Sequence, residues 1–191
     1  MESQLDEWNE FPRFEWSGPN DPADRGLGLA GLKVDYGVVV GDFDTKVNDE
    51  DMRLVSNVHV LPVLAGCVVL VRGNAWELPG GTVEPGETIS ECLQRELLEE
   101  IGAAVTDFVL LGVFRCTSSA ASAYRSHIPH PHFNILIAAA KVTSISAPSG
   151  WGNNEGHSEI AIAEPARMVS RLSSQPETIA MARIVEAYFD R

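Results

Sequence analysis

Positive charge is scarce in this sequence: 14 lysines and arginines stand against 27 aspartates and glutamates, a formal net charge of −13. Proteins that coat nucleic acid or bind anionic membranes need a basic stripe, so neither partner is expected here. Long apolar runs are missing as well. No stretch of about 18 uncharged apolar residues occurs, which leaves no candidate for a membrane-spanning helix. Cysteine is sparse, and Cys67, Cys92 and Cys116 show neither paired nor metal-ligand spacing. The start, Met-Glu-Ser-Gln-Leu-Asp-Glu, lacks the basic and then apolar segments of a signal peptide, so a reducing cytoplasm is the expected location. With 191 residues and 45% apolar composition, the chain is long enough for one well-filled domain.

What the chain does have is an unusual acidic stretch, Gly81 to Ala103, reading GTVEPGETISECLQRELLEEIGA. Thr88 with Glu91 three residues on forms a capping box, and Gly102 offers a left-handed stop, so a helix is predicted from Ile89 to Ile101. At about 100° per residue, Ile89, Leu93, Leu97 and Ile101 make one apolar stripe. A charge run on a helix is ordinarily a solvated face opposite such a stripe. Here Glu96 and Glu100 abut the stripe instead, with Glu99 beside Glu96 on the outer flank. Unpaired charges against a core cost several kcal/mol unless something neutralises them, and a divalent cation would do so.

A hard cation such as Mg²⁺ takes oxygen ligands, keeps several waters and joins a few carboxylates to the phosphate oxygens of a substrate. Glu96, Glu99 and Glu100 supply three carboxylates within one helical turn. The Gly80-Gly81 pair lets backbone approach closely, so that a main-chain carbonyl can join the metal shell. Arg95 is the one cation in the cluster; its guanidinium fork can orient a carboxylate, either Glu87 or Glu99.

Gly81, five residues, Glu87, seven residues, Arg95-Glu96-Leu97, one residue, Glu99-Glu100, one residue and Gly102 together resemble the Nudix box. Seven required residues, counted without the aliphatic Leu97, at roughly 6% usage each would coincide on the order of once in 10⁹ positions. Ala103 departs from the larger aliphatic residue usual at the end of the box, a change in packing more than chemistry. The box covers about an eighth of the chain, and the lead-in Trp76-Glu77-Leu78-Pro79-Gly80 is also similar to the family.

The resemblance implies an α/β fold, the Nudix-type α/β/α sandwich with a mixed β-sheet. It also implies a hydrolase that uses Mg²⁺ or Mn²⁺ to cleave the diphosphate of a nucleoside diphosphate linked to another group, by in-line attack of a metal-activated water. By resemblance, Glu96, Glu99 and Glu100 are metal ligands, Gly80 is a backbone-carbonyl ligand, and Arg95 with Glu87 is the orienting pair. The general base is Glu96 within the box or Glu159 outside it, with Glu155 in reserve. The alternative is a non-catalytic Nudix-like module that senses a nucleotide or binds a protein.

Selectivity is expected outside the box. Arg72, Arg115 and Arg125 lie nearest the expected sheet ends and can offset the net charge at the mouth of a diphosphate site. The segment from Thr117 to His132 is long for a loop and carries two prolines near its end, which suits a pocket wall, with Tyr124 placed to stack on a base and Arg125 to meet a phosphate. His127, His130 and His132 in that segment are not read as a zinc site, because no acidic or cysteine partner follows at zinc-like spacing.

The remaining elements follow from pattern. Residues 1–54 are assigned to an N-terminal arm with an additional strand, and 55–191 to the main domain. Trp8, Phe11, Phe14 and Trp16 give the arm an apolar surface that packs on its own domain, crosses to a second subunit as a homodimer, or closes over the base. Strands are predicted at Leu32 to Val40, followed by an acidic loop, then Val58 to Leu64 and Cys67 to Arg72 as a hairpin, then Phe108 to Cys116 and Phe133 to Val142. Ser146 to Asn154 reads as a loop, and Trp151 within it as a lid or a surface anchor. A short helix opens at Glu164-Pro165-Ala166, and Ser174 with Glu177 is expected to cap a last helix through Phe189.

Overall fold

The computed structural model describes residues 29, 31–149 and 159–189. The aromatic arm through Trp16, and also Trp151 and Glu155, lie outside the described residues.

Among the described residues, nine strands form one mixed sheet. β1 (Lys33–Asp35) and β2 (Val39–Asp44) come first, then β3 (Val55–Leu64), β4 (Cys67–Arg72), β5 (Trp76–Glu77) and β6 (Gly80–Thr82). The long β7 (Ala103–Ser118) and β8 (His132–Ile145) follow, and β9 (Glu159–Ala163) closes the set. The spatial order is β1-β2-β7-β8-β3, after which β4 and β6 share the far side of β3, and β5 and β9 pair with β4. Only β3 with β8 runs parallel among the described pairs. That parallel step requires a long crossover, and the acidic helix lies in it.

The α-helices among the described residues are α1 (Asp49–Arg53), α2 (Ile89–Ile101), α3 (Pro165–Leu172) and α4 (Ile179–Phe189). Alternation along the strands feeds two separate cores. Leu70 of β4 and Ile137 and Ala139 of β8 pack with Met168, Leu172 and Ile184 of α3 and α4. Their neighbours Val69, Val71, Leu136 and Ala138 pack with Ile89, Leu93, Leu97 and Ile101 of α2. Strand side chains alternate between faces, so one central sheet carries a helical layer on each side. The expected α/β/α sandwich with a mixed sheet is the observed architecture.

α2 spans the expected residues, with the Thr88–Glu91 capping box formed and Gly102 at φ 62°. The hairpin between β3 and β4 turns at Ala65 and Gly66, both at positive φ as a two-residue hairpin turn demands. Both strands that flank the 117–132 segment are longer than expected, because pairing between β7 and β8 continues past the apolar run, through three register shifts, from Ala103 to Thr117.

Three expectations are corrected. Leu32 to Val40 is not one strand: the chain reverses near Gly37, at φ 78°, and β1 pairs antiparallel with β2. Asp35 Oδ1 accepts from Gly37 N–H at 2.8 Å, an Asx turn that competes with strand continuation. The acidic segment that follows is likewise partly ordered, as the end of β2 and α1. Ser174 does not cap the last helix, since its hydroxyl donates to the Arg171 carbonyl at the end of α3. A 3₁₀ turn, Pro176–Thr178, leads into α4 instead. No helix among the described residues is long and apolar enough to cross a membrane, which says nothing of a β-barrel.

Asp51 of α1 is only 5% exposed and takes both prongs of the Arg115 fork, Nε at 2.7 Å and Nη2 at 2.8 Å. Its backbone carbonyl accepts from buried Asn134 Nδ2 at 2.8 Å, which ties α1 to β8. Arg115, through its hydrogen bonds above all, holds the Asp51 carboxyl below the usual range, against the opposing effect of burial. A depressed folded pKa means that this stabilisation is present above the free-aspartate pKa and is lost as pH falls below it. Asp51→Asn should therefore lower unfolding free energy by about 2 kcal/mol at pH 7 and by much less near pH 3. Urea denaturation at the two pH values checks this; an equal loss at both would contradict it.

Candidate metal and nucleotide site

The acidic face of α2 meets β6 at the edge of the sheet. Glu96 and Glu100 are 6% and 4% exposed, and Glu87 and Glu99 are half-buried. The stripe positions put these carboxylates there: α2 cannot bury Leu93 and Leu97 without carrying Glu96 and Glu100 toward the sheet.

Arg95 organises the group. Its Nε and Nη2 donate to the two oxygens of Glu87 at 2.7 and 3.0 Å, its Nη1 donates to Glu96 at 2.8 Å and Glu99 at 3.1 Å, and Nη2 also reaches the Thr82 carbonyl at 3.1 Å. Burial pushes the Glu87 carboxyl up, but the Arg95 hydrogen bonds and the Glu84 backbone N–H outweigh it and leave it below the usual range. Glu96 goes the other way. Burial, opposed by Arg95 and reinforced by the charge of Glu100, raises it from 4.5 to about 7.

The two glycines before the helix are there for close approach. A Cβ on Gly81 would overlap the Glu96 carboxylate, and one on Gly80 would overlap the Val58 carbonyl and His59. Gly80 N–H donates to Glu100 Oε2 at 2.9 Å. Glu100 is thus turned to the backbone of β6 while Arg95 holds Glu96 and Glu99. Among the described residues no three histidine, cysteine or acidic side chains converge on one point as they would around a metal ion. An all-oxygen, partial donor set on a hard-cation pattern is what Mg²⁺ requires when water and substrate oxygens supply the rest of the shell. Glu96, Glu99, Glu100 and the Gly80 carbonyl are oxygen donors of that chemistry, and the burial that chiefly raises Glu96 is an effect a bound cation would oppose.

Next to β6 opens a cavity of about 640 Å³, within the usual range of small-molecule sites. Asn57, His59, Leu78, Tyr124, Phe133 and Met181 are among its walls, and no lysine or arginine among the described residues lines it. Burial, outweighing the nearby charges of Glu77 and Glu100, holds His59 below the usual imidazole range. The cavity lies on the sheet face opposite α2, since Asn57 and His59 alternate with Val58 and Val60 of the α2 core.

The other residues singled out in the sequence scatter. Tyr124 reaches both cavity and box: its hydroxyl meets Asn57 Oδ1 at 2.9 Å and Thr82 Oγ1 at 3.1 Å. Arg125 pairs with Glu84 at 2.6 Å, at the loop before α2. Arg72 and Glu159 are cross-strand partners on β4 and β9, joined at 3.3 Å and exposed, and Arg72 lies over the Trp76 ring at 5.6 Å. Arg115 is engaged by Asp51, Asp44 and the Lys46 carbonyl rather than by any box residue. His127 contacts the Val83 carbonyl at 3.0 Å, and His132 contacts Thr117 at 3.2 Å.

Asn57, His59 and Thr82 were not legible as site residues. Their only sequence signal is alternation, Asn57 and His59 being polar positions inside an otherwise apolar strand, and Thr82 contributes through its backbone as much as its side chain.

A family model described as NUDIX domain matches residues 53–182. Among curated proteins, the mouse 8-oxo-dGDP phosphatase NUDT18 is 38% identical over 77 residues, 40% of this chain and 23% of that protein. The 8-oxo-dGTP diphosphatase of Proteus vulgaris is 54% identical over 39 residues, 20% of this chain and 35% of that one. The matched segment thus spans well under half the length of either curated relative. Among solved structures, a Bacillus subtilis pyrophosphohydrolase superposes with a TM-score of 0.59 at 17% identity, covering 83% of this chain and 98% of that one. A NUDIX hydrolase from Nitrosomonas europaea gives 0.53 at 22% identity, covering 71% and 89%. At these identities the structural likeness is one of fold.

The raised Glu96 generates a pH prediction for the metal-free protein. Between 4.5 and about 7 the unfolded chain has lost a proton that the fold still holds, so ionising Glu96 costs stability across that window and fully above it. Glu96→Gln should accordingly stabilise the metal-free protein by on the order of 2 kcal/mol at pH 8 and change little at pH 5. Thermal melts in chelator at both pH values measure it; destabilisation at pH 8 would contradict the account.

Proposed function

Because the chain belongs to the Nudix family, we propose that it is a divalent-metal-dependent pyrophosphohydrolase that splits the diphosphate linkage of a nucleoside diphosphate derivative. The observation that carries this reading is the acidic cluster itself: three carboxylates gathered on one arginine and a fourth, Glu100, held by the Gly80 N–H at a glycine-opened strand, beside a nucleoside-sized cavity. The curated relatives are named for 8-oxo-dGTP and 8-oxo-dGDP, so oxidised purine nucleotides are the first substrates to examine.

Glu96, Glu99, Glu100 and the Gly80 carbonyl would hold Mg²⁺ or Mn²⁺. When bound, such an ion neutralises the diphosphate and lowers the pKa of a water that attacks phosphorus in line. Arg95, itself fixed by Glu87, keeps the carboxylates of Glu96 and Glu99 oriented. Glu96 takes the proton of the attacking water. Its place inside the cluster favours it over Glu159, whose carboxylate is engaged by Arg72.

The cavity receives the base and ribose, with Phe133 and Met181 for apolar contact and Asn57 for hydrogen bonding. With no lysine or arginine among its described walls, charge neutralisation falls to the metal. Arg125 and Arg72, both ion-paired at the surface, are reserve phosphate contacts, and Arg115 serves the scaffold. Free cysteines at positions 67, 92 and 116 suit a reducing cytoplasm.

The test is a Mg²⁺ and Mn²⁺ screen over 8-oxo-dGTP, 8-oxo-dGDP, nucleotide sugars, ADP-ribose and dinucleoside polyphosphates, with products identified by mass. One compound should be split at its diphosphate, chelator should abolish the reaction, and Glu100→Gln should lower kcat at least about 100-fold. Absence of turnover, together with a nucleotide that raises the melting temperature, would replace this reading with a nucleotide-sensing module.

A further inference from the structure

Three polar side chains from separate parts of the chain meet where the cavity adjoins the acidic cluster. Asn57 on β3 and Thr82 on β6 are cross-strand partners, and Tyr124 arrives from the segment between β7 and β8. Tyr124 O–H donates to Asn57 Oδ1 at 2.9 Å, and Asn57 Nδ2 donates to Thr82 Oγ1 at 3.3 Å. With the tyrosine proton spent on Asn57, the 3.1 Å contact between Thr82 Oγ1 and Tyr124 is the threonine hydroxyl donating back. Each member of this ring gives one hydrogen and accepts one, so the three polarise and orient one another. Ser56 O–H adds a second donation to Asn57 Oδ1 at 2.8 Å, which fixes the amide's orientation.

The ring lies at a junction. Asn57 and Tyr124 line the cavity, whereas the Thr82 carbonyl holds Arg95 Nη2 at 3.1 Å. A shift of Thr82 therefore passes to Arg95, and from Arg95 to Glu96 and Glu99. The segment that carries Tyr124 grips the next two residues as well, Arg125 pairing with Glu84 and His127 meeting the Val83 carbonyl. Thr82, Val83 and Glu84 are thus held in succession from one side.

We propose that Tyr124 is a positioning residue. Its hydroxyl, acting through Thr82, sets the Arg95 fork and so the geometry of the carboxylates, which makes the metal-holding cluster depend on the 119–131 segment. This rests on the reading of Glu96, Glu99 and Glu100 as metal-holding groups. It differs from a stacking role, which needs the ring and not the hydroxyl, and Tyr124→Phe separates the two.

The experiment measures Mn²⁺ affinity of the whole chain by electron paramagnetic resonance without nucleotide, then kcat and KM for whichever diphosphate is hydrolysed. Tyr124→Phe and Thr82→Val should each weaken Mn²⁺ binding and lower kcat about tenfold, with KM within about twofold of wild type. Thr82→Ser, which keeps the hydroxyl, should restore both, and the Tyr124→Phe, Thr82→Val double variant should be no worse than either single one. Melting temperatures separate a positioning loss from unfolding. Mn²⁺ affinity in Tyr124→Phe equal to wild type, or fully additive losses in the double variant, would overturn the inference while leaving a hydrolysing wild type intact. A wild type that binds Mn²⁺ but cleaves no diphosphate would overturn the hydrolase reading alone, and one that binds no Mn²⁺ would overturn both.

Discussion

A single guanidinium placed among four carboxylates is the constraint on which the site depends. Arg95 donates to Glu87, Glu96, Glu99 and the Thr82 carbonyl, so one planar fork ties the helix α2, the loop before it and the strand β6 together. A lysine could supply the charge but not the several fixed directions. Burying part of this group leaves more negative charge than Arg95 can offset, and the raised pKa of Glu96 is the visible cost. The fold tolerates that cost at a site where a cation would remove it.

The sandwich exists to hold that cluster still. Because β3 and β8 run parallel, the chain between them must cross over, and α2 rides in that crossover against the Val69, Val71 and Leu136 face of the sheet. The opposite face, covered by α3 and α4, carries the cavity. The acidic cluster and the cavity are therefore on different faces and, among the described residues, adjoin at β6, where Thr82 and Asn57 occupy the junction.

α2 was legible because its information is local. A 3.6-residue stripe, a capping box and a glycine stop all fall within a short window, and the same periodicity that located Leu93 and Leu97 in the core placed Glu96 and Glu100 beside them. The hairpin at Ala65 and Gly66 was legible for the same reason. Gly37 misled, since the flanking β-branched residues read as one strand while the Asp35 turn reverses the chain. The Asp51–Arg115 pair and the Asn57–Thr82–Tyr124 ring were invisible because each joins residues far apart in sequence, and no periodicity encodes such a meeting. Arg115 shows the difference: a cation near a sheet end suggests a phosphate contact until its buried partner is known.

The most direct measurement of the central claim is anomalous diffraction from crystals grown with Mn²⁺ and a methylene-diphosphonate nucleotide that cannot be cleaved. Mn²⁺ should lie at the carboxylates of Glu96, Glu99 and Glu100 and against the diphosphonate, with the base in the cavity beside Asn57. Mn²⁺ bound elsewhere, or a diphosphonate lying away from β6 with the acidic cluster left to Arg95, would contradict it.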